Sequence, residues 1–180
     1  AYCALIERTP GEMDALYRDL FIGVTEFFRD PQAWDALRTE VIVPLVAAHQ
    51  GEEPIRAWVP GCASGEEAYT LAMLLLAALK DAGKATRLQV FATDVNEEAL
   101  QFARAGVYPL GIAAHIPPKL LRRHFFDGAE PGHYQVTPEL RGAVTFSPQN
   151  IFADPPFSRL DIISCRNLLI YMDGALQKKL

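Results

Sequence analysis

Two glutamates directly follow a glycine-bearing loop in the segment WVPGCASGEEAYTLAM, residues 58–73. Glycine loops that open helices commonly bind phosphate groups through their backbone N–H groups. The spacing from Gly61 to Gly65 is not G-x-G-x-x-G, and the Lys-Ser/Thr pair of a P-loop is absent. Glu66 and Glu67 would also repel a pyrophosphate. The loop therefore indicates a ligand with a cationic end, such as an amino-acid ammonium group beside an adenosine.

A simpler explanation of the two glutamates stays open. Acidic side chains in the first turn of a helix interact favourably with the helix dipole, by roughly 0.3–1 kcal/mol. Ser64, two residues before Glu66, could cap the same helix. Helix chemistry alone would then account for the acidic pair.

Asp94 ends a second apolar segment, VFATD. If the two strands are neighbours, this carboxylate lies beside the glycine loop and can accept hydrogen bonds from both hydroxyls of a ribose. Asp94 or Asn96 could instead cap the helix that follows. A glycine loop without phosphate features, an acid after it and an acid after the next strand together suggest S-adenosylmethionine as the ligand.

The segments around these residues alternate between strand and helix patterns. Strands are predicted in IRAWVP and RLQVFATD, and each is followed by a helical pattern, at 66–83 and 95–106. Gly83 and Gly106 are typical helix stops. This strand-loop-helix order implies a parallel sheet with right-handed crossovers.

The alternation breaks at residues 107–142, which are rich in Pro, Gly and His. We interpret this stretch as an insertion, with a short helix in PPKLLRRHFF. Short antiparallel strands are expected in GHYQVTPELRGAVTFS. The parallel pattern returns at 144–150 and 159–172.

Residues 10–22 and 31–50 have helical spacing, and Pro44 is expected to kink or break the second helix. The chain opens without an initiator methionine and stops in GALQKKL, within a helical pattern. We therefore expect it to be a segment of a longer protein.

Composition disfavours several functions. The net charge of −5 is unlike that of a duplex nucleic-acid binder. The three cysteines and four histidines are scattered, which indicates reduced thiols in a cytoplasmic protein and disfavours a metal site. The longest apolar run, residues 71–79, is too short to insert across a membrane.

Five ordered motifs, which span nearly the whole chain, resemble those of the chemotaxis receptor methyltransferases. That family transfers methyl groups from S-adenosylmethionine to receptor glutamates. The motifs are GVTEFFRD, WVPGCASGEEAYTLAM, FATDVNEEAL, ARAGVYP and FSRLDIISCRNLLIYM. The last is most similar to the methyltransferase segment of hybrid signalling proteins, where it follows a methylesterase domain.

The resemblance implies an α/β, Rossmann-like S-adenosylmethionine-dependent methyltransferase fold over residues 51–180. Residues 1–50 would be a helical linker at the end of an N-terminal domain, and residues 107–142 a small inserted β-subdomain. The C-terminal strands of the family's sheet would be missing, because the sequence stops at Leu180.

The resemblance also assigns roles to single residues. Those implied to bind the cofactor are Thr25, Arg29, Gly61, Glu66, Asp94, Asn150, Ile151, Asn167 and Leu168. Glu66 corresponds to the cofactor-binding acid, Asp94 to the ribose ligand, and Asn150 with Ile151 to the residues against the adenine. Arg29 and Tyr171 are the candidate catalytic residues, and Gly23 replaces a family Asn. The alternatives are a core role for Phe27, Phe28 and Tyr171, a surface ion pair for Arg29, and turn positions for Asn150 and Asn167.

The implied partners are the cytoplasmic helices of chemoreceptors. A basic stretch, Lys119, Arg122, Arg123 and His124, is expected to face their acidic methylation sites, or else to be a solvated helix face. The turn at 126–136 looks too short for tethering by a receptor's C-terminal pentapeptide, and Pro131 would remove a backbone donor from an edge. Alternatives are a methyltransferase of this fold with another substrate and a non-catalytic module that binds cofactor or receptor. A nicotinamide dehydrogenase is disfavoured, because the third glycine is missing.

Overall fold

A four-stranded parallel sheet lies at the centre of the protein, whose computed structural model describes residues 8–9, 25–172 and 174–177. Its strands are β1 (Ile55–Pro60), β2 (Leu88–Asp94), β6 (Val144–Pro148) and β7 (Ile162–Ile163). They are ordered β6-β2-β1-β7, and every neighbouring pair is parallel. The predicted α/β class with a parallel sheet is therefore confirmed.

The helices are α1 (Pro31–Ala36), α2 (Val43–Ala48), α3 (Glu66–Asp81), α4 (Glu97–Ala105), α5 (Pro118–His124), α6 (Pro138–Gly142) and α7 (Gly174–Gln177). Helix α3 packs against β2, and most of its residues are buried. This burial explains why the helix is apolar on almost every side. Helix α4 begins at Asn96, whose side chain accepts hydrogen bonds from the N–H groups of Glu98 and Ala99. It ends at Gly106 in the left-handed region, φ 64°. The cap of α4 is thus Asn96, not Asp94.

The helix is not broken at Pro44, so of the two outcomes expected there, a kink or a break, the break does not occur. A π-helical segment, Leu37–Ile42, runs directly into α2, and Pro44 lies within the first turn of α2. A wider π turn disturbs the usual hydrogen-bond ladder, and the missing N–H of a proline is tolerated at such a point. The other predicted helix, 10–22, and Gly23 lie outside the described residues.

Residues 107–136 contain a second, antiparallel sheet. Its strands β3 (Val107–Pro109), β4 (Phe125–Asp127) and β5 (His133–Val136) are ordered β3-β5-β4. Within GHYQVTPELRGAVTFS, where short antiparallel strands are expected, β5 is the antiparallel strand, and the segment ends in the parallel strand β6. Helix α6 follows instead, because Thr137 caps it and Pro138 occupies its first position.

An aromatic cluster joins the linker, the antiparallel sheet and α3. The Phe27 ring packs edge-on against Tyr108, at 4.9 Å between centroids, and against Phe125, at 5.5 Å. Tyr69 of α3 packs edge-on against Tyr108 at 6.2 Å. Phe27 and Phe28 are both buried, so the core interpretation of these residues is correct. Such pairs add about 0.5–1.5 kcal/mol each beyond area burial, and here they fix the linker beside the glycine loop.

Candidate cofactor site

The glycine loop lies between β1 and α3, and two of its residues must be glycine. Gly61 and Gly65 have φ angles of 66° and 94°, which side chains rarely adopt. A Cβ at Gly61 would lie 3.0 Å from the Leu168 side chain, and one at Gly65 would lie 2.8 Å from Ala103. The loop therefore passes in close contact with the chain after β7 and with α4.

Asp94 ties this loop to the end of β2. Its Oδ2 accepts a hydrogen bond from the backbone N–H of Ala63 at 2.8 Å, and its Oδ1 accepts one from Asn96 at 2.9 Å. The Cys62 N–H donates to the Thr93 carbonyl at 3.0 Å. A carboxylate has about four acceptor positions, so each Asp94 oxygen retains one for a ligand hydroxyl.

Glu66 is a buried carboxylate, with only 9% of its surface exposed. Its Oε2 accepts a hydrogen bond from the Ser64 hydroxyl at 2.7 Å, and no lysine, arginine or histidine of the described chain pairs with it. Burial raises the pKa of Glu66, and the Ser64 bond only partly offsets this. A cationic ligand would stabilise this ionised carboxylate.

Glu67 has a different environment. Its Oε1 accepts a hydrogen bond from the Ser164 hydroxyl at 2.6 Å, which joins the first turn of α3 to the segment after β7. Burial raises the pKa of Glu67, while Ser164 and the charges of Arg166 and Arg29 oppose the shift. The sequence motif gave Glu66 as the cofactor-binding acid and left the structural role of Glu67 unrecognised. No sequence signal linked Glu67 to Ser164.

A cavity of about 650 Å³ opens between the linker, the glycine loop, α4 and the antiparallel sheet. This volume is within the usual range for ligand pockets. Thr25 and Glu66 both line it, so the structure brings these two predicted residues together. Tyr108, which sequence reasoning missed, also lines it and donates a hydrogen bond to the Ser64 carbonyl at 2.6 Å.

The other predicted contacts lie outside this cavity. Gly61, Asp94 and Leu168 meet at the carboxyl ends of β1 and β2, as described above. Arg29 is half-buried, and its carbonyl accepts a hydrogen bond from Arg166 at 2.8 Å.

Asn150 follows β6 and is exposed. Its N–H donates to Asp154 at 2.7 Å and its Oδ1 accepts from the Phe152 N–H at 3.0 Å, which matches the turn interpretation. Ile151 beside it is half-buried. Both follow the last residues of β6, at the carboxyl end of the parallel sheet.

Asn167 is exposed, with φ 57°, which is also typical of a turn asparagine. Tyr171 ends a 3₁₀ turn, Leu169–Tyr171, and only its backbone belongs to the described part of the protein. Its predicted place near the transferred methyl group therefore stays a prediction.

The described cysteines are unsuited to nucleophilic chemistry. Cys62 and Cys165 are both free thiols. Burial, together with the charges of Asp94, Glu67 and Glu66, raises the pKa of Cys62 well above its usual value. Burial and Glu67 raise the pKa of Cys165. Both thiols stay protonated near neutral pH, whereas the thiolate is the reactive form.

The part of the chain that the structure describes has neither a metal-binding cluster nor a helix suited to a membrane. No group of three or more His, Cys, Asp or Glu residues there is arranged to hold a metal ion. No helix there has both the length and the apolar character that a membrane crossing needs.

The arrangement fits S-adenosylmethionine, which has a cationic end and a ribose. Glu66, a buried carboxylate with no ion-pair partner among the described residues, is the first residue of α3, and Ala63 in the preceding loop donates a hydrogen bond to Asp94. Thr25 and Glu66 line the cavity, and Asp94 lies at the end of β2 beside the glycine loop.

Comparison with known proteins supports the same ligand. A family model described as the CheR methyltransferase, SAM binding domain, matches residues 23–180. A chemotaxis protein methyltransferase of Escherichia coli is 34% identical over 181 residues, which cover 94% of this chain and 58% of that protein. Chemotaxis protein methyltransferase 2 of Pseudomonas aeruginosa is 33% identical over 187 residues, covering 99% of this chain and 63% of that protein.

A much longer relative also matches. A 104.1 kDa protein from the hypE 3′ region of Rhodobacter capsulatus is 41% identical over 179 residues, which are 99% of this chain and 19% of that protein. The chain thus spans only part of each of these relatives. The family match extends over most of the chain, and the chain belongs to the CheR methyltransferase family, of which it carries the S-adenosylmethionine-binding domain.

Proposed function

We propose that this domain transfers a methyl group from S-adenosylmethionine to glutamate side chains of chemotaxis-type receptors, forming glutamate methyl esters. The observation that carries the cofactor part of the proposal is the buried Glu66 carboxylate in the cavity, which accepts a hydrogen bond from the Ser64 hydroxyl and forms no ion pair among the described residues. The names of the Escherichia coli and Pseudomonas aeruginosa relatives support chemotaxis as the setting. Because the chain spans about 60% of those relatives, activity and substrate are inferred for the longer protein.

The bound cofactor would supply a methyl group on a positively charged sulfur. Glu66 would hold its ammonium end, in the cavity that Thr25 also lines, and Asp94 would hold its ribose at the end of β2. Arg29 would orient the substrate carboxylate, because a planar guanidinium can bind both oxygens of a carboxylate.

No general base is required from the protein. A receptor glutamate has an ordinary pKa near 4.3 and is already ionised at neutral pH. The protein's contribution is to hold the two reactants in a reactive arrangement and to exclude water from them. Tyr171 is proposed to shape the path of the methyl group or to donate a hydrogen bond from its hydroxyl.

The receptor surface is proposed to include Lys119 and Arg122, which are exposed on α5. The predicted basic stretch needs two corrections. Arg123 lies 3.8 Å from Glu139, so part of its charge is balanced. His124 is fully buried, and burial is the main cause that lowers its pKa to about 4, so it is neutral near pH 7.

The receptor's C-terminal pentapeptide is proposed not to act as a tether. Gly128 donates to the His133 carbonyl at 2.8 Å, which closes a short turn between β4 and β5. Pro131 lies in that turn and outside both strands, so the argument that it removes an edge donor is wrong. The shortness of the turn between β4 and β5 remains the reason to expect no pentapeptide tether. Calorimetry that found micromolar binding of the pentapeptide would overturn this part.

Methyl transfer is tested with radiolabelled S-adenosylmethionine, the full-length protein and receptor cytoplasmic fragments. Base-labile label on the receptor is the expected result, because methyl esters hydrolyse in base. Variants Arg29→Ala and Tyr171→Phe are assayed alongside for cofactor binding and turnover. Normal turnover in both removes these residues from the mechanism. Cofactor binding without any transfer would favour a non-catalytic binding module, and base-stable label would indicate another substrate group.

A further inference from the structure

Arg166 contacts three positions of the linker with one side chain. Its Nη1 donates a hydrogen bond to the Arg29 carbonyl at 2.8 Å, and its Nη2 donates to the Asp30 carboxylate at 2.7 Å. Its guanidinium also lies over the Trp34 ring, 4.9 Å from the centroid. Only 22% of the Arg166 side chain is exposed, so these contacts are partly shielded from water.

The linker needs such contacts, because its backbone is strained. Phe28 and Asp30, on either side of Arg29, have φ angles of 54° and 56°. Left-handed conformations of this kind cost about 1–3 kcal/mol each and persist only where the surroundings impose them. Arg166 contacts the Asp30 end of this segment, and at the other end the Phe28 N–H donates to the Thr70 hydroxyl of α3 at 3.3 Å. Arg29 is thus held between α3 and Arg166.

Arg166 also connects the linker to the start of α3. Its backbone N–H interacts with the Glu67 carboxylate, to which Ser164 donates as well. The two residues after Arg166 are Asn167, with φ 57°, and Leu168, which packs against Gly61. One residue therefore joins three segments that were predicted separately to form the site.

We propose that Arg166 is a positioning residue, which holds the main chain of Arg29 so that the Arg29 guanidinium faces the substrate carboxylate. The two terminal nitrogens of Arg166 donate to Arg29 and Asp30, which anchors this guanidinium to the segment that carries Arg29, and Arg166 is therefore assigned a role through Arg29. The proposal rests on the proposed methyl transfer, in which Arg29 orients that carboxylate.

The first test is a double-mutant cycle in the full-length protein, measured as kcat/KM for receptor fragments. Arg166→Gln is expected to lower kcat/KM by about 10–100-fold, since small misplacements of reactants have effects of this size. In an Arg29→Ala background, the same change is expected to lower it by less than about threefold, because the two residues act as a unit. Losses that multiply across the two positions would overturn the proposal.

Three further variants complete the cycle. Arg87→Gln removes an exposed arginine before β2 and is expected to leave kcat/KM unchanged. Arg166→Lys keeps the charge but loses the two-point contact. Its kcat/KM is therefore expected to stay within about threefold of that of Arg166→Gln. Full rescue by lysine, or equal activity of Arg166→Gln and Arg87→Gln, would contradict the positioning role. Should Arg166→Gln fold poorly, Asp30→Asn weakens one of the Arg166 contacts by removing the carboxylate charge. The smaller loss of kcat/KM that it causes is likewise expected to disappear in the Arg29→Ala background.

A second readout does not depend on activity. In protein labelled with fluorotryptophan, the resonance that Trp34→Phe removes belongs to Trp34. Arg166→Gln is expected to shift this ¹⁹F resonance and Arg87→Gln is not. An unmoved Trp34 resonance overturns the contact itself, even if the wild-type protein transfers no methyl group. Absence of transfer by the wild-type protein, with the resonance shifted, would instead defeat the proposed function and leave the contact in place.

Discussion

The Asp94 carboxylate and the Ala63 backbone N–H are joined by a hydrogen bond of 2.8 Å. Ala63 has a φ angle of 45°, so this bond holds a strained residue of the glycine loop. Asp94 therefore has a structural role beside its proposed role as the ribose ligand.

Asp94→Ala is expected to weaken S-adenosylmethionine binding by about 1–3 kcal/mol, the range for a hydrogen bond to a charged group. It is also expected to lower the melting temperature, because Ala63 and Asn96 lose their acceptor. Calorimetry and thermal denaturation measure the two effects separately. A lower melting temperature with an unchanged dissociation constant would leave Asp94 with the structural role alone.

Glu66→Gln is expected to weaken the cofactor more than it weakens an adenosine that lacks the amino-acid tail. The glutamine still accepts from Ser64 but lacks the charge that would bind an ammonium group. The melting temperature of the ligand-free protein at pH 7.5 is not expected to fall. Burial raises the pKa of Glu66, so its contribution to folding is present at low pH and lost as pH rises through the folded-state value. Equal losses for both ligands, with a lower melting temperature, would point to the helix-dipole explanation.

Cofactor affinity is expected to rise with pH above the range in which a glutamate usually titrates, because a cationic ligand binds the ionised form of Glu66 and burial raises the pKa of this carboxyl. The neighbouring Glu67 also has a raised pKa, so the pH dependence of cofactor affinity in the wild-type protein does not by itself show which carboxyl is responsible. The decisive comparison is Glu66→Gln, for which the dissociation constant should vary little over the same pH values. An identical pH profile in the variant would exclude Glu66 as the responsible group.

The order of the parallel elements could be predicted from the sequence, because the signals are local. Strands β1 and β2 are short apolar runs, and the helices after them end at glycines. The helix does not break at Pro44, because a π-helical segment directly before it accommodates the proline. The formation of that segment depends on how the helix packs, which local sequence signals do not show. The burial of His124 was missed for a related reason: its neighbours come from elements distant in the chain.

The candidate site shows the same limit. Residue types and family motifs pointed to Glu66 and Asp94, but they gave no sign that the Asp94 carboxylate binds the Ala63 N–H. Arg166 stood inside a quoted motif, yet its contacts with residues 29–34 cross more than 130 positions of sequence. Side-chain contacts of that range follow from the fold and are not encoded in local spacing.

Lys84→Met is expected to lower the free energy of unfolding by about 1–2 kcal/mol, toward the low end for charged hydrogen bonds because Lys84 is only half-buried. The Lys84 ammonium donates to the carbonyls of Val46, Ala47 and His49 at 2.6, 3.0 and 2.6 Å, and so satisfies the end of α2. Lys80→Met, at an exposed position of α3, is the matched control. Urea denaturation measures both variants, and equal midpoints would mean that water replaces Lys84 without cost.

Charge reversal at Lys119 and Arg122 is expected to raise the Michaelis constant for receptor fragments several-fold without changing kcat. These two side chains are exposed on α5, and complementary charge mainly governs encounter and orientation of a partner. The effect should fall as salt rises, because exposed charges are screened beyond about 10 Å at 0.1 M ionic strength. Reversal at Arg38, an exposed position of the π-helical segment, controls for net charge, which changes by two units per substitution. A Michaelis constant that moves equally in the α5 variants and the Arg38 variant would assign the effect to overall charge, and α5 would then be an ordinary solvated helix face.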